Sequence, residues 1–219
     1  SVSGAGDVNG DGIDDLIIGA RYANNWSGES YVVFGAEAGF AASLQLSALN
    51  GVNGFTLNGI NEWEQSGVSV SGAGDINGDG IDDLIIGAYS ADPNGSRSGE
   101  SYVVFGSSAA GAFGASINLS SLNGATGFKL NGIDAGDYSG RSVSGAGDIN
   151  GDGIDDLIIG ASSADPNGNG RSGESYVVFG RPVFTAVVDV ATVSVAIAGV
   201  NDAPVATGLP ASAQALVDT

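Results

Sequence analysis

Apolar positions in this chain fall in short runs, among them Val68 to Ser71, Leu84 to Ala88 and Tyr102 to Gly106. Each is rich in Val, Ile, Phe or Tyr and bounded by Gly, Asn, Asp or Ser, which is the signature of a strand between turns. A further run, GFxLNGI, surrounds Phe55 and again Phe128. Helical spacing is nearly absent: the best candidate is Ala109 to Ala115, and 38 glycines leave few windows without a helix-weakening residue. The pattern predicts an all-β fold.

The pattern also repeats. GDxNGDGIDDLIIGA is spelled at Gly6 to Ala20, Gly74 to Ala88 and Gly147 to Ala161, a period of about 70 residues. Four strands per period predict propeller blades, small antiparallel sheets packed face to face, with a β-sandwich as the runner-up. The expected architecture is three consecutive four-stranded antiparallel blades, over residues 1–60, 61–133 and 134–181. The third is incomplete, because Arg181-Pro182-Val183-Phe184 stands where the fourth strand should begin. A C-terminal strand follows over 182–203, where Val193, Val195 and Ile197 alternate with Ser194 and Ala196, and then a linker or a next domain over 204–219. With no initiating Met and an opening already inside a motif, the chain is expected to be part of a longer one.

The repeated loop carries the chemistry. In the second copy Asp75, Asn77 and Asp79 alternate, so a loop winding round a point can turn all three inward, while Gly78 and Gly80 permit the positive φ of a tight winding. Ile81 can offer its carbonyl oxygen, and Asp83 can close the shell. The same positions are Asp7, Asn9, Asp11, Ile13 and Asp15 in the first copy and Asp148, Asn150, Asp152, Ile154 and Asp156 in the third. With a water this makes about 6 or 7 oxygens, a donor set for Ca²⁺ and too many and too pliant for magnesium; three sites are expected, one per repeat. Three carboxylates per loop leave about −1 with the ion and −3 without it, so the ion is expected to shape the loop. A helical EF-hand loop is excluded because its twelfth position needs an acid, and here it is Ile18, Ile86 or Ile159. A bare Asn-Gly or Asp-Gly turn needs two special residues, whereas nine positions repeat here. Asp14, Asp82 and Asp155, at the eighth position, are expected to face solvent or support the ligands.

Composition narrows the function further. Of 25 acidic residues, 12 lie in the three loops, so the net charge of −19 is concentrated there rather than in a tail. Six Lys and Arg in all make no basic stripe, which excludes nucleic acid as a partner. The chain has no Cys, Met or His, so disulfides, thiolate or imidazole metal sites and histidine catalysis are excluded. No apolar run is long enough to span a bilayer.

At these residues the chain resembles the FG-GAP repeats of integrin alpha-subunit propellers and their bacterial relatives. The resemblance is carried by the loop residues Asp7, Asn9, Asp11 and Asp15 with their two sets of counterparts, by the LIIGA strand, and by the Phe-Gly of VVFG at Phe34, Phe105 and Phe179. It implies that each calcium loop joins two strands of one blade, in a propeller that usually has seven blades. The GAP tripeptide is replaced by Gly19-Ala20-Arg21, Gly87-Ala88-Tyr89 and Gly160-Ala161-Ser162. From Val193 to Ala206, VSVAIAGVNDAPVA resembles the end of a cadherin-like or VCBS-type repeat of large bacterial surface proteins.

The resemblances together imply a non-enzymatic, calcium-binding segment of a large secreted or cell-surface bacterial protein, hence extracellular, acting in adhesion or as an interaction scaffold. Its partner would be a protein or a glycan, and flanking blades or self-association would cover its open faces. The alternatives are an accessory domain of an extracellular enzyme and a glycan-binding propeller. Two smaller readings remain. Arg97 and Arg171, three residues before Glu100 and Glu174, read as local ion pairs, and a catalytic role for these repeated glutamates is disfavoured. Trp26, Trp63 and Tyr138 could stack on a sugar or simply pack, and the polar loops from Asp92 and Asp165 are exposed edges on which a ligand could sit.

Overall fold

The apolar runs of the three repeats become strands in the computed structural model, which describes residues 1–109, 111–166 and 170–182. The strands are β1 (Val2–Gly6), β2 (Asp15–Ala20), β3 (Glu29–Val33) and β4 (Gly54–Asn58) in the first repeat. The second repeat has β5 (Ser69–Gly74), β6 (Asp83–Ala88), β7 (Glu100–Val104), β8 (Ser116–Asn118) and β9 (Gly127–Asn131). In the third are β10 (Ser139–Gly147), β11 (Asp156–Ala161) and β12 (Glu174–Val178). They form three sheets ordered β1-β2-β3-β4-β8, β5-β6-β7-β9 and β10-β11-β12. The fold is all-β, a run of propeller blades in which β1, β5 and β10 lie side by side. The expected strand from Val187 to Gly199 and the linker over 204–219 lie outside the described residues.

Register repeats with the sequence. Leu16 pairs with Val33, Leu84 with Val104 and Leu157 with Val178, and each first strand carries a bulge before its loop, at Gly4/Gly6, Gly72/Gly74 and Gly145/Gly147. The bulge re-aims the chain into the turn that follows.

Position in the row sets burial. Leu84 and Val70 of the middle blade are 1% and 4% exposed, whereas their equivalents in the first blade, Leu16 and Val2, are 46% and 68% exposed. The opposite faces show the mirror case: Ile85 and Val103 are fully buried, but Ile158 and Val177 of the third blade are 39% and 45% exposed. Identical strands thus differ only in whether a neighbour covers them.

Ala109 to Ala115, the best helical candidate, forms no helix among its described residues. The segment joining β7 to β9 instead reaches back over the first blade. There β8 pairs in parallel with β4, the Asn58 amide donates to the Asn118 side chain at 2.9 Å, and Phe113 stacks on Phe55 with centroids 4.4 Å apart and planes 2° from parallel. Leu119, at the end of this strap, is fully buried in the core shared by the first two blades. Burying Phe113 and Leu119 stabilises that junction by about 2 kcal/mol each.

Candidate metal centre

Each repeated loop joins the first two strands of its sheet, and its backbone is wound by its own side chains. In the first loop the Asp7 carboxylate accepts from Asp11 N–H at 3.0 Å and Gly12 N–H at 2.8 Å. Asn9 Oδ1 accepts from Asp11 N–H at 2.8 Å, and Asp11 Oδ1 from Ile13 N–H at 2.9 Å. The second and third loops repeat all four bonds on Asp75, Asn77 and Asp79 and on Asp148, Asn150 and Asp152. So tight a winding requires left-handed backbone at the two loop glycines: Gly78 and Gly80 have φ of 73° and 88°.

The ninth-position carboxylate ties the loop to the rest of its blade. Asp83 is fully buried and accepts from Ile76 N–H at 3.1 Å, within the loop, and from Gly106 N–H at 2.8 Å, beyond β7. Asp15 does the same with Val8 and Gly35, and Asp156 with Ile149 and Gly180. Gly35, Gly106 and Gly180 are the glycines of the Phe-Gly motif, so that dipeptide is the second jaw of the loop. Glycine is required there for space: a Cβ on Gly106 would stand 2.2 Å from the Asp82 carbonyl oxygen and 2.6 Å from the Ile81 side chain. Ile13 and Ile154 press on Gly35 and Gly180 in the same way. Their apolar side chains are therefore turned into the protein. Among the described residues, none of the hydrogen bonds outside strands uses the carbonyl oxygens of Ile13, Ile81 or Ile154.

Eighth-position aspartates differ by neighbour rather than by sequence. Asp82 accepts from Asp7 N–H of the preceding loop at 2.8 Å, and Asp155 from Asp75 N–H at 3.0 Å, so consecutive loops are latched across the blade junctions. Among the described residues Asp14 makes no such latch, and it is exposed. Asp82→Ala should therefore cost about 1 kcal/mol, the worth of one hydrogen bond with its donor left half-buried. Asp14→Ala should stay within about 0.5 kcal/mol of the parent, and urea denaturation of the pair checks the latch.

Burial and like charge act together on the ninth-position carboxyls of the first two loops. Burial pushes the Asp83 carboxyl up to about 8, against the lowering effect of its two N–H donors, and the charges of Asp79 and Asp75 push it further the same way. Asp15 is pushed up to about 6 by burial first, with Asp11 and Asp7 adding to it. Exposed Asp148 of the third loop is lowered instead, chiefly by the Gly153 N–H. Among the described residues, no three Asp, Glu, His or Cys side chains converge closely enough to make a cage alone. A cation held here would draw on Asn and carbonyl oxygens together with the carboxylates. An all-oxygen donor set of this kind suits a hard cation. By that test the residues fit calcium.

The repeated GESY segments serve the sheet. Glu100 Oε2 accepts from the Tyr102 hydroxyl at 2.6 Å, Glu174 from Tyr176 at 2.6 Å, and Glu29 from Tyr31. The ion pairs expected between Arg97 and Glu100 and between Arg171 and Glu174 do not form. The one ion pair among the described residues is Lys129 to Glu100, at 3.8 Å across the β7–β9 ladder, while Arg97 donates to the Tyr138 hydroxyl at 3.1 Å. Register decides this, because Tyr102 pairs with Lys129 and brings the ammonium to the glutamate from the neighbouring strand.

Three blades with one wound oxygen-rich loop each, clamped by a Phe-Gly glycine, define a propeller-repeat protein. A family model described as FG-GAP repeat matches residues 1–33, 66–104 and 139–178, in each case the first three strands of a blade and its loop. The chain belongs to the FG-GAP repeat family. It is similar to Integrin alpha-5 of Xenopus laevis, 29% identical over 83% of this chain and 16% of that protein, and to Integrin alpha pat-2 of Caenorhabditis briggsae, 26% identical over 82% of this chain and 14% of that protein. Integrin alpha-2 of Bos taurus is 33% identical over 41% of the chain and 7% of its own length. The chain thus spans less than a fifth of the length of these relatives.

Proposed function

We propose that this chain is a calcium-binding run of propeller blades within a larger secreted or cell-surface protein, without enzymatic activity, acting in adhesion or as an interaction scaffold. One observation carries the calcium assignment: Asp83 is fully buried beside two further carboxylates, and its described hydrogen-bond partners are N–H groups, with no basic side chain among them. Calcium would be held by Asp7, Asn9, Asp11, the Ile13 carbonyl and Asp15, and by the equivalent sets from Asp75 to Asp83 and from Asp148 to Asp156. Bound there, it supplies the positive charge that these loops lack and joins the loop to its blade.

Similarity to integrin alpha chains supports the adhesion reading and the extracellular setting. The uncovered faces, with Val2 and Leu16 at one end of the row and Ile158, Val177 and Phe179 at the other, need flanking blades or a second copy of the chain to cover them.

Calcium stoichiometry tests the assignment. Titration calorimetry on the chain should give three sites, and Asp79→Ala should give two, because that substitution removes both a ligand and the acceptor for Ile81 N–H. A count of three for the variant would overturn the ligand assignment, and no binding by the parent would overturn the metal.

A further inference from the structure

The strand ends opposite the metal loops carry a feature that the calcium sites leave unexplained. Connections β2–β3, β4–β5 and β6–β7 lie there, and between the first two blades they enclose an open cleft of about 440 Å³. Trp26 and Trp63 line it with ring centroids 5.3 Å apart and planes inclined at 31°, and Tyr22 backs Trp26 at 4.6 Å. Both indoles stay outside the core, at 41% and 60% exposed. Gln65, Ser90, Asp92, Ser96 and Arg97 complete the polar part of the wall.

Strained backbone holds these aromatics in place. Asn24, Asn25 and Trp26 are three successive left-handed residues, with φ of 46°, 54° and 68°, and Trp63 has φ of 73°. Asn tolerates that region; Trp does not. In the next repeat the residue equivalent to Trp63 is Gly136, with φ of 89° and open space where a Cβ would stand. The equivalents of Trp26 are Arg97 and Arg171, left-handed as well at φ of 55° and 60°, so the conformation there belongs to the repeat and only the indole is particular to the first blade. A chain that repeats its strands and metal loops almost letter for letter thus places both of its tryptophans, at strained positions, in this one cleft. At Trp63 the strain is kept where the next repeat uses glycine, an outlier that points to a functional demand on the indole.

We propose that this cleft is a carbohydrate-binding site, in which a pyranose ring of a neutral glycan lies against the indoles of Trp26 and Trp63 while Asp92, Arg97 and Gln65 bind its hydroxyls. A pyranose presents an apolar C–H face that matches an indole, and a rim of hydroxyls that both donate and accept. The wall meets both needs. Asp92 accepts from Arg97 N–H through Oδ1 and keeps Oδ2 as an acceptor, Arg97 has guanidinium donors beyond the one given to Tyr138, and Gln65 accepts from the Tyr89 hydroxyl and keeps its amide donors. A proline-rich peptide, the other common ligand of aromatic grooves, offers mainly carbonyl acceptors and would leave Asp92 facing them without a donor. A net charge of −19 disfavours acidic ligands.

Because the chain has two tryptophans and both line the cleft, intrinsic tryptophan fluorescence reports on this site alone. The proposal predicts that, in saturating calcium, at least one member of a panel of neutral mono- and oligosaccharides shifts the emission saturably. Trp63→Ala should weaken that sugar's binding, measured by calorimetry, by about tenfold or more, while Trp63→Phe keeps much of it. The melting temperature of both variants should match the parent. A panel without a binder overturns the proposal, as does undiminished affinity in the Trp26→Ala/Trp63→Ala double variant, or a saturable shift caused by a proline-rich peptide and by no sugar. Calcium stoichiometry, read at the opposite ends of the strands, should be unchanged in all these variants, so this site and the calcium reading fail separately.

Discussion

Adding a chelator in excess is expected to lower the melting temperature of this chain by about 10 °C. With Kd on the order of 10⁻⁴ M, the tight end of the range for extracellular calcium modules, ~1 mM calcium contributes roughly 1.4 kcal/mol per site and about 4 kcal/mol for three. Each kcal/mol moves the midpoint of a domain of this size by about 2–4 °C. The pH dependence should differ with and without the ion. In its absence Asp83 is pushed from 3.8 to about 8, so the neutral acid is the form that folding favours. The stability this contributes is fully present below the unfolded value near 4 and is lost as pH rises toward 8. Asp15, pushed to about 6, adds the same sign over a narrower window. In chelator, therefore, the melting temperature should fall between pH 4 and 8, and Asp83→Asn should flatten the fall. Calcium binds the ionised form, so the stabilisation it confers should grow over that same interval. Calorimetric melts at four or five pH values, with calcium and with chelator, check both. An unchanged melt on chelation would remove the metal from the account.

A single methyl group at a blade junction should be comparably damaging. A Cβ on Gly87 would stand 1.9 Å from the Gly140 carbonyl oxygen of the next blade, and one on Gly19 would stand 2.1 Å from that of Gly67. Neither glycine has positive φ, so the penalty is steric. The obstructing atoms are backbone, and Gly140 cannot retreat, because its own Cα already lies against the Glu100 carbonyl, where an added Cβ would be 2.5 Å away. Gly87→Ala and Gly19→Ala should each cost about 3 kcal/mol or more. Gly160 is the control. It occupies the same place in the third repeat, but the nearest atoms to its Cβ would be those of Ser142, at 3.6 and 3.7 Å, in ordinary contact. Gly160→Ala should be neutral, or stabilising by up to about 1 kcal/mol as alanine replaces glycine within a strand. Denaturant midpoints of the three variants decide it. An equal cost at all three would mean that the loss is local to the strand and not at the junction.

The glycine result also accounts for a departure noted in the sequence. Arg21, Tyr89 and Ser162 replace the proline of the GAP tripeptide, yet the blades pack, because the close approach at the two junctions is made by Gly19 and Gly87 of Gly-Ala.

Strands, loop windings and the number of blades were legible in the sequence because each rests on local chemistry. Alternation and turn residues set β1 to β7, β9 and the later strands. The spacing of Asp, Asn and Gly sets a winding that Asp7, Asn9 and Asp11 then hold with their own backbone bonds. What joins one repeat to the next was not legible. The latch from Asp82 to Asp7, the strap that lays β8 on β4 and Phe113 on Phe55, and the meeting of Gly87 with Gly140 all link residues more than 50 positions apart. A repeated motif looks alike in every copy, whereas its environment depends on the neighbour that covers it: Leu16 and Leu84 are the same letter in the same word, one half-exposed and the other buried. The Phe-Gly jaw lies between these cases, visible as a motif but explained only when the Gly106 N–H is seen on Asp83. By itself, then, the sequence determined the secondary structure and the tight oxygen-rich winding of the loops, both products of short-range geometry. Tertiary structure alone decided which identical residues are core, which are latch and which are open surface, and it brought Trp26 and Trp63 into one cleft, because those outcomes depend on contacts between repeats.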